Sequence, residues 1–480
     1  MKRTARAVIG TLFLACAPFV HAGDTATAAP RPALELPQAE VERLLEAYAM
    51  IKQNYVGATD DKALFDGALS GMLAALDAHS RYLDKDALRD VGRENSGEYV
   101  GIGIEVEGNR DLLRVVAVAD GSPAERAGIR AGDVIVAVDN APVSGMANDV
   151  VARRMHGAPG TVVAIGVARH DKVETLRITR VDLHNDTVHV RMAAPGLAWI
   201  RISEFGGATA ADLAAALKKL DGKDAPRGLI LDLRNDPGGL VAAGVAVAGA
   251  FLQPGTVLFS ARGRGPGANA TVTVDERYYR APGQPDVLAG LPAWTRTVPL
   301  TVLVNGASAS AAELVTGALQ DQHRATVIGT RTFGKGSIQS VLSLNEDSGI
   351  KFTVARYFTP NGHEIQARGV TPDVVVAPAA APSPAADGDL LLREADLAKH
   401  LPATQPPDAT PDARREPMES TRTFGTHADK ALQAAVAMLT PDDKRTPLLS
   451  GLLRRWGAGL KRGAAPAATA GGTVAATGAP

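Results

Sequence analysis

Two stretches of small residues each hold a side chain able to do covalent or acid–base chemistry. "NGASASAAEL" at 305–314 carries Ser308 and Ser310, and "TFGKGSIQS" at 332–340 carries Lys335 between Gly334 and Gly336. A serine hydroxyl is a weak nucleophile until a base takes its proton, and a lysine is a base only when its amine is uncharged. Desolvation favours that uncharged form. A serine with a neutral lysine is therefore an alternative to serine with histidine for acyl transfer. By itself a lysine between glycines is an ordinary mobile surface charge. The two stretches make a site only if the fold brings them together.

The surrounding pattern does place both past strand ends. Residues 197–376 alternate strand and helix: "LAWIRISEF", a helix at 209–220, "GLILDLR", an apolar helix "GLVAAGVAVAGAFL", "PLTVLVN", a helix "ASAAELVTGALQD", and "ATVIGT". "SVLSL" and "IKFTVARYFT" then read as a hairpin. Strand–helix alternation indicates an α/β domain, whose ligand sites lie beyond the carboxyl ends of its strands. "LILDLR" is followed by Asn235-Asp236-Pro237-Gly238-Gly239, and "LTVLVN" by Gly306 to Ser310. Ser310 falls at the first turn of a helix, where free N–H groups favour an anion.

The rest of the chain is organised around this domain. Its 480 residues allow roughly three domains. Hydrophobic content of 45% and charged content of 21% suit soluble globular domains. A net charge of -1 gives no electrostatic case for nucleic acid or an acidic membrane surface. At the N-terminus Lys2, Arg3 and Arg6 precede an apolar run from Ala7 to Val20, and Val20-His21-Ala22 offers small residues for a signal peptidase. The expectation is a signal peptide over 1–22 cleaved after Ala22, export to the bacterial periplasm, and a mature chain free of cysteine, since Cys16 is the only one. Residues 23–38 read as a flexible lead. A helical region at 39–90 puts Val41, Leu44, Leu45, Tyr48 and Ile51 on one face. Those helices pack on their own body or join a second copy; the sequence leaves both open.

Residues 97–182 change to short β-rich runs. "YVGIGIEV", "GSPAERAG" and "AGDVIVAVDN" occur there in an order that resembles a PDZ domain. The resemblance implies that a peptide's C-terminal carboxylate sits on backbone N–H groups near Tyr99, Val100 and Gly101. The peptide then adds to the edge strand running through Ile102, Gly103 and Ile104.

The two opening stretches, with "YVGATDDKALFDGALSGMLAALDAHSRYL", the PDZ segment, "GLILDLRNDPGGL" and "ARYFTPNGHEIQARGVTPDVVV", resemble the C-terminal processing peptidases, or tail-specific proteases, over about 39–376. This implies a multidomain α/β and β protein with a protease core at 183–376 of the crotonase/Clp-protease-like type. By that match Ser310 is the nucleophile, Lys335 the general base and Gln339 the side chain that orients the lysine. The oxyanion donors are the N–H of Ala311 and that of Gly238 or Gly239, which the sequence does not separate. The family usually has a serine where this chain has Ala312. Ser308 lies in the same motif, but the match places the nucleophile at the second serine.

Other groups read as structural. Asp232 and Arg234 suit an ion pair beside the glycine turn. His184 and His189 lack a third ligand at zinc-site spacing, and no phosphate loop is present. No cofactor is implied. A Pro/Ala linker at 377–389, a helical region at 390–461 containing "LLREADLAKHL" and "ADKALQAAVAML", and a low-complexity tail at 462–480 complete the chain. The expected function is an exported serine endopeptidase that cleaves polypeptides held by their C-termini. The alternative is a peptide-binding scaffold that keeps the fold without the chemistry. The sequence leaves open whether an adaptor protein assists.

Overall fold

Helical periodicity in the N-terminal region is realised as α1 (Gln38–Asn54) and α2 (Asp61–Ala74), the second capped by the Asp60 side chain, which accepts from the Lys62 N–H. The computed structural model describes residues 37–96, 98–109, 112–118, 122–130, 133–144, 146, 151, 154–155, 157–169, 172–184, 187–222, 225–265, 267–377, 393–405 and 424–440. The expected leader with Cys16 and Ala22, nearly all of the 23–38 lead and the 377–389 linker, and the 462–480 tail lie outside the described residues. Among the described residues no helix is long and apolar enough to cross a membrane.

The helical region also contains a strand that periodicity does not reveal. β1 (Arg81–Leu83) precedes α3 (Lys85–Ser96) and pairs with residues 349–351, so three residues stitch the N-terminal arm into the core. Its partner is remote in sequence, and three residues are too few to show a period of two.

A small antiparallel β-domain follows. It comprises β2 (Glu98–Gly101), β3 (Ile104–Asn109), β4 (Leu112–Val118), α4 (Pro123–Arg126), β5 (Val134–Val138), β6 (Ala141–Pro142), β7 (Val162–Arg169), β8 (Lys172–Thr179) and β9 (Val181–His184). Its sheet runs β3-β4-β5-β7-β8 with β6 on β5, which leaves β3 at an edge. Val115, Ile135, Val138, Val163 and Ile165 fill its core. β2 and β9 pair separately as a two-stranded ribbon.

The core domain is built on β10 (Val188–Ala194), β11 (Leu197–Ile202), α5 (Thr209–Lys219), β12 (Gly228–Asp232), α6 (Val241–Phe251), β13 (Val257–Gly263), β14 (Ala270–Thr273), β15 (Leu300–Val304), α7 (Ala311–Asp321), β16 (Thr326–Gly329), β17 (Ser337–Asn345), β18 (Ser348–Phe358), β19 (Val374–Val375) and α8 (Lys430–Leu439). Its main sheet has the order β10-β11-β12-β15-β16-β19, parallel except for β10. Period-two alternation sends the two sets of side chains to opposite faces. Ile200, Leu229, Leu231, Val302 and Val327 meet α5, α6 and α7. Trp199, Ile230, Leu303 and Ile328 meet α8. Both faces are covered, so β12 and β15 are buried at every position. Each fully buried Leu, Ile or Val contributes about 1.5–3 kcal/mol. β13, β14, β17 and β18 form a second sheet with β1.

The C-terminal part departs from expectation. "ADKALQAAVAML" forms α8, but "LLREADLAKHL" yields a single 3-10 turn at Glu394–Asp396 where a helix is expected. The reason is tertiary. The Glu394 N–H donates to the Phe333 carbonyl, and its carboxylate is held by His79 and Gln366.

Candidate active site

Three loops leave the carboxyl ends of three neighbouring parallel strands. β12 leads to the glycine turn, β15 to Ser310 and β16 to Lys335. Because β15 lies between the other two, all three loops crowd one edge of the sheet. They are tied to each other directly. The Ala309 N–H donates to the Asp236 carbonyl at 2.8 Å, and the Phe333 N–H donates to the Ser308 carbonyl at 3.0 Å. Asn235 and Asn305 are linked by their amide side chains at 2.7 Å. The structure therefore brings the two motifs into one place.

The two serines of the motif differ in environment. Ser308 is fully buried, and its hydroxyl donates to the Leu233 carbonyl at 2.7 Å while accepting from the Asn305 N–H at 3.0 Å. That hydroxyl is a structural link. Ser310 sits on a sharp turn from strand to helix, with φ 55° and ψ -114°. A left-handed φ at a residue with a Cβ costs roughly 1–3 kcal/mol and persists only where its surroundings enforce it. The turn presents the Ser310 side chain at the start of α7, half-buried rather than enclosed.

The enforcing group is Glu313, which the sequence reading passed over. Its carboxylate is fully buried and accepts four hydrogen bonds. These come from the Ser310 N–H at 2.9 Å, the Lys335 N–H at 2.8 Å, the Gly334 N–H at 2.7 Å and the Thr332 hydroxyl at 2.5 Å. One side chain thus fixes the backbone of both loops. Burial pushes its pKa up to about 7, against the opposing pull of those four donors. A signal for it existed in the sequence: Ser310-x-x-Glu313 has the spacing of a capping box.

Lys335 is half-buried in its loop. Burial, and then the nearby charge of Lys351, hold its pKa below the usual lysine range, while Glu394, Glu313 and Asp77 act the other way. Tyr357 is fully buried and its hydroxyl donates to the Lys335 carbonyl at 2.6 Å. Burial raises the Tyr357 pKa far above its ordinary value, and Glu313 adds to this, while a hydrogen bond with the Ser310 side chain acts in the opposite direction. Tyr357 thus braces the lysine loop from β18. The Ser310 and Lys335 side chains make no hydrogen bond to each other, as is common before substrate binds.

The glycine turn packs directly on the serine turn. A Cβ on Gly238 would fall 2.7 Å from the Ser310 Cβ and 2.8 Å from the Ala311 nitrogen. One on Gly239, at φ 145°, would fall 2.4 Å from the Phe205 carbonyl oxygen. Only glycine permits both approaches. The Gly238 N–H donates to the Asp236 carboxylate at 2.8 Å. The N–H groups of Gly239 and Ala311 have no acceptor among the described residues. The Gly238 N–H is thus engaged, whereas that of Gly239 is not. Asp236 is fully buried, and burial lifts its pKa well above the carboxylate range, opposed in part by the Gly238 hydrogen bond.

Gln339 lies on β17, four residues beyond Lys335. Its amide donates to Ser337 at 2.9 Å and to Thr353 at 3.2 Å, with no bond to Lys335 among the described residues. Asp232 and Arg234 do form a buried ion pair at 2.6 Å, and Arg234 continues to Asp429, the N-cap of α8, at 2.7 Å. In the β-domain, Tyr99, Val100 and Gly101 lie in the β2–β9 ladder. Ile102 and Gly103 form the bend between β2 and β3, and Ile104 starts the edge strand.

Residues 196–376 match the family model described as peptidase family S41, residues 100–179 the PDZ domain, and residues 21–87 the N-terminal domain of the activating protease CtpB. A carboxy-terminal-processing protease of Bartonella bacilliformis is 36% identical over 377 residues, spanning 77% of this chain and 82% of its own. A probable CtpA-like serine protease of Staphylococcus aureus is 33% identical over 340 residues, spanning 71% of this chain and 65% of its own. Among solved structures, the photosystem II D1 C-terminal processing protease is 31% identical and aligns over 70% of this chain and 93% of that one, with a TM-score of 0.45.

Proposed function

Since the chain belongs to the carboxy-terminal-processing serine proteases of peptidase family S41 and carries a PDZ domain, we propose that it cuts polypeptides near their C-termini with Ser310 as nucleophile and Lys335 as general base. The observation that carries this reading is the single buried carboxylate of Glu313 holding the Ser310 and Lys335 N–H groups together. The Lys335 amine takes the Ser310 proton as the hydroxyl oxygen attacks the substrate carbonyl carbon. The resulting oxyanion faces the free N–H groups of Gly239 and Ala311. The lysine then returns the proton to the departing amine, leaving an ester on Ser310. Water, activated by the same lysine, hydrolyses that ester and regenerates the serine.

This reading fixes a pH dependence. Only the neutral amine is a base, so activity rises with pH through the Lys335 pKa and falls about tenfold per unit below it. Burial sets that midpoint below the range of a free lysine. Lys335→Arg keeps the charge but has no neutral form at working pH, and is expected to be as inactive as Lys335→Ala. Casein hydrolysis by the purified arginine variant decides the point: activity there would reduce Lys335 to a source of positive charge.

Substrate choice is assigned to the β-domain. A C-terminal carboxylate docks on backbone N–H groups near Tyr99, Val100 and Gly101, where β2 leads into the Ile102–Gly103 bend, and the peptide pairs along β3, an edge of the sheet among the described residues. Amidating the tail of a good substrate should slow cleavage of a distant internal bond, about tenfold for each 1.4 kcal/mol of docking lost. Equal rates for free and amidated tails would give this domain another task.

Two further assignments follow from the N-terminal region. No residue of α1 is buried, and Val41, Leu44, Leu45, Phe65 and Met72 are exposed on α1 and α2. We assign that face to contact with a second copy, which sedimentation as a monomer would refute. Export with cleavage after Ala22 predicts a mature N-terminus at Gly23, checked by sequencing the secreted chain.

A further inference from the structure

Beside the lysine loop lies a buried acidic side chain that the mechanism above does not use. Glu394 comes from the segment at 393–405, beyond the matched peptidase region at 196–376. It is completely buried. Its carboxylate meets His79 Nε2 at 2.8 and 3.0 Å and accepts from Gln366 Nε2 at 2.8 Å. Gln366, also fully buried, accepts the Gly336 N–H at 3.0 Å through its other amide atom. The Glu394 N–H donates to the Phe333 carbonyl at 3.1 Å. Glu394 therefore grips the loop on both sides of Lys335, by its backbone at 333 and through Gln366 at 336.

We propose that Glu394 is a positioning residue of the active site, supplying the fixed negative charge that balances the ammonium formed when Lys335 takes the serine proton. The inference rests on Lys335 being the base. A buried amine gives up its proton readily but is penalised when it must accept one, because the product is a buried cation. A preorganised carboxylate relieves that penalty at the moment the charge develops. The charged groups that act electrostatically on Lys335 are Lys351, Glu394, Glu313 and Asp77. Lys351 opposes the cation. Glu313 has its oxygens engaged by four donors of the two loops. Asp77 is turned to the His79 N–H and the Ser80 hydroxyl. Glu394 is held in place by His79 and the Gln366 amide, and through its own N–H and Gln366 it is tied to the loop on both sides of Lys335.

The test compares pH profiles of kcat/KM for the full-length protein. Glu394→Gln keeps the shape and an acceptor for Gln366 but removes the charge. The lysine then loses its proton at lower pH and is a weaker base. The acid limb should move to lower pH while the plateau falls, on the order of tenfold. A role confined to folding would lower the rate at every pH and leave the limb where it is, and that result in the folded Glu394→Gln variant overturns the proposal. Lys335→Ala is run in parallel. An inactive alanine variant with unmoved limbs refutes only the role of Glu394, whereas an active one refutes the Ser–Lys reading itself.

Discussion

Ser310→Ala is expected to abolish proteolysis and leave the protein folded. Removing the nucleophile of a unit in which serine and base act together costs roughly four to six orders of magnitude in kcat, or about 5–8 kcal/mol of transition-state stabilisation. The backbone at 310 already pays its conformational strain with a Cβ present, and alanine has the same Cβ. The largest stability loss is that of an N-cap hydroxyl at the start of α7, about 1 kcal/mol. Casein cleavage and thermal unfolding, measured on the same preparation, check both halves. Cleavage near the wild-type rate would mean that the nucleophile is elsewhere. Ser308 is a poor substitute, since its hydroxyl is already engaged by Leu233 and Asn305.

Glu313 should be almost as sensitive, for a different reason. Glu313→Ala would strip four donors of their acceptor at once: three backbone N–H groups and the Thr332 hydroxyl. A buried donor left without a partner costs about 1–3 kcal/mol, so the alanine variant is expected to lose much of its stability together with its activity. Glu313→Gln separates the two effects. It keeps the volume and one acceptor oxygen but turns an NH2 group toward donors. The serine and lysine loops should separate slightly, and kcat should fall roughly 100-fold, the scale of a misplacement of about 1 Å. KM should hold, because Glu313 itself is buried away from substrate. The variant should also change how stability depends on pH. The folded pKa of Glu313 is raised from 4.5 to about 7. Its contribution is therefore full below about 4.5 and is lost as the pH rises through about 7. The glutamine variant lacks that titration, so the difference in melting temperature between wild type and variant should narrow or reverse with rising pH. Wild-type kcat in Glu313→Gln would show that the loops are fixed by other contacts.

The sequence made the two motifs legible as neighbours because the apolar runs of β12, β15 and β16 are unambiguous, and parallel strands send their following loops to one edge. The three-residue spacing of Glu313 from Ser310 was a signal passed over, and the reach of that carboxylate to 332–335 had no local signal at all. That reach depends on β16 lying next to β15, a matter of strand order. Tyr357, Gln366, His79 and Glu394 were not legible, since each approaches the lysine loop from a remote element and has no local pattern. The 3-10 turn at Glu394 is the same lesson in reverse: a segment of helical composition gave up its helix to tertiary hydrogen bonds. The edge strand of the β-domain was readable only through the PDZ resemblance, and the ribbon that occupies Tyr99–Gly101 was not readable at all, because β9 follows some eighty residues later.

The joining of the N-terminal arm to the far end of the chain also has a bearing on time. Arg81 pairs with Lys351, and His79 meets Glu394 across 315 residues. A ribosome adding about 5–20 residues per second needs roughly 15–60 seconds to make the second partner after the first. Closing such long loops is also the slow part of folding. While the chain is being made, the arm has no strand to join, and the lysine loop has neither its carboxylate nor its clamp. The nascent chain is thus assembled around an incomplete centre, and the cutting machinery comes together only after nearly the whole core has been synthesised. A chain built in this order has no complete centre until nearly all of its core exists.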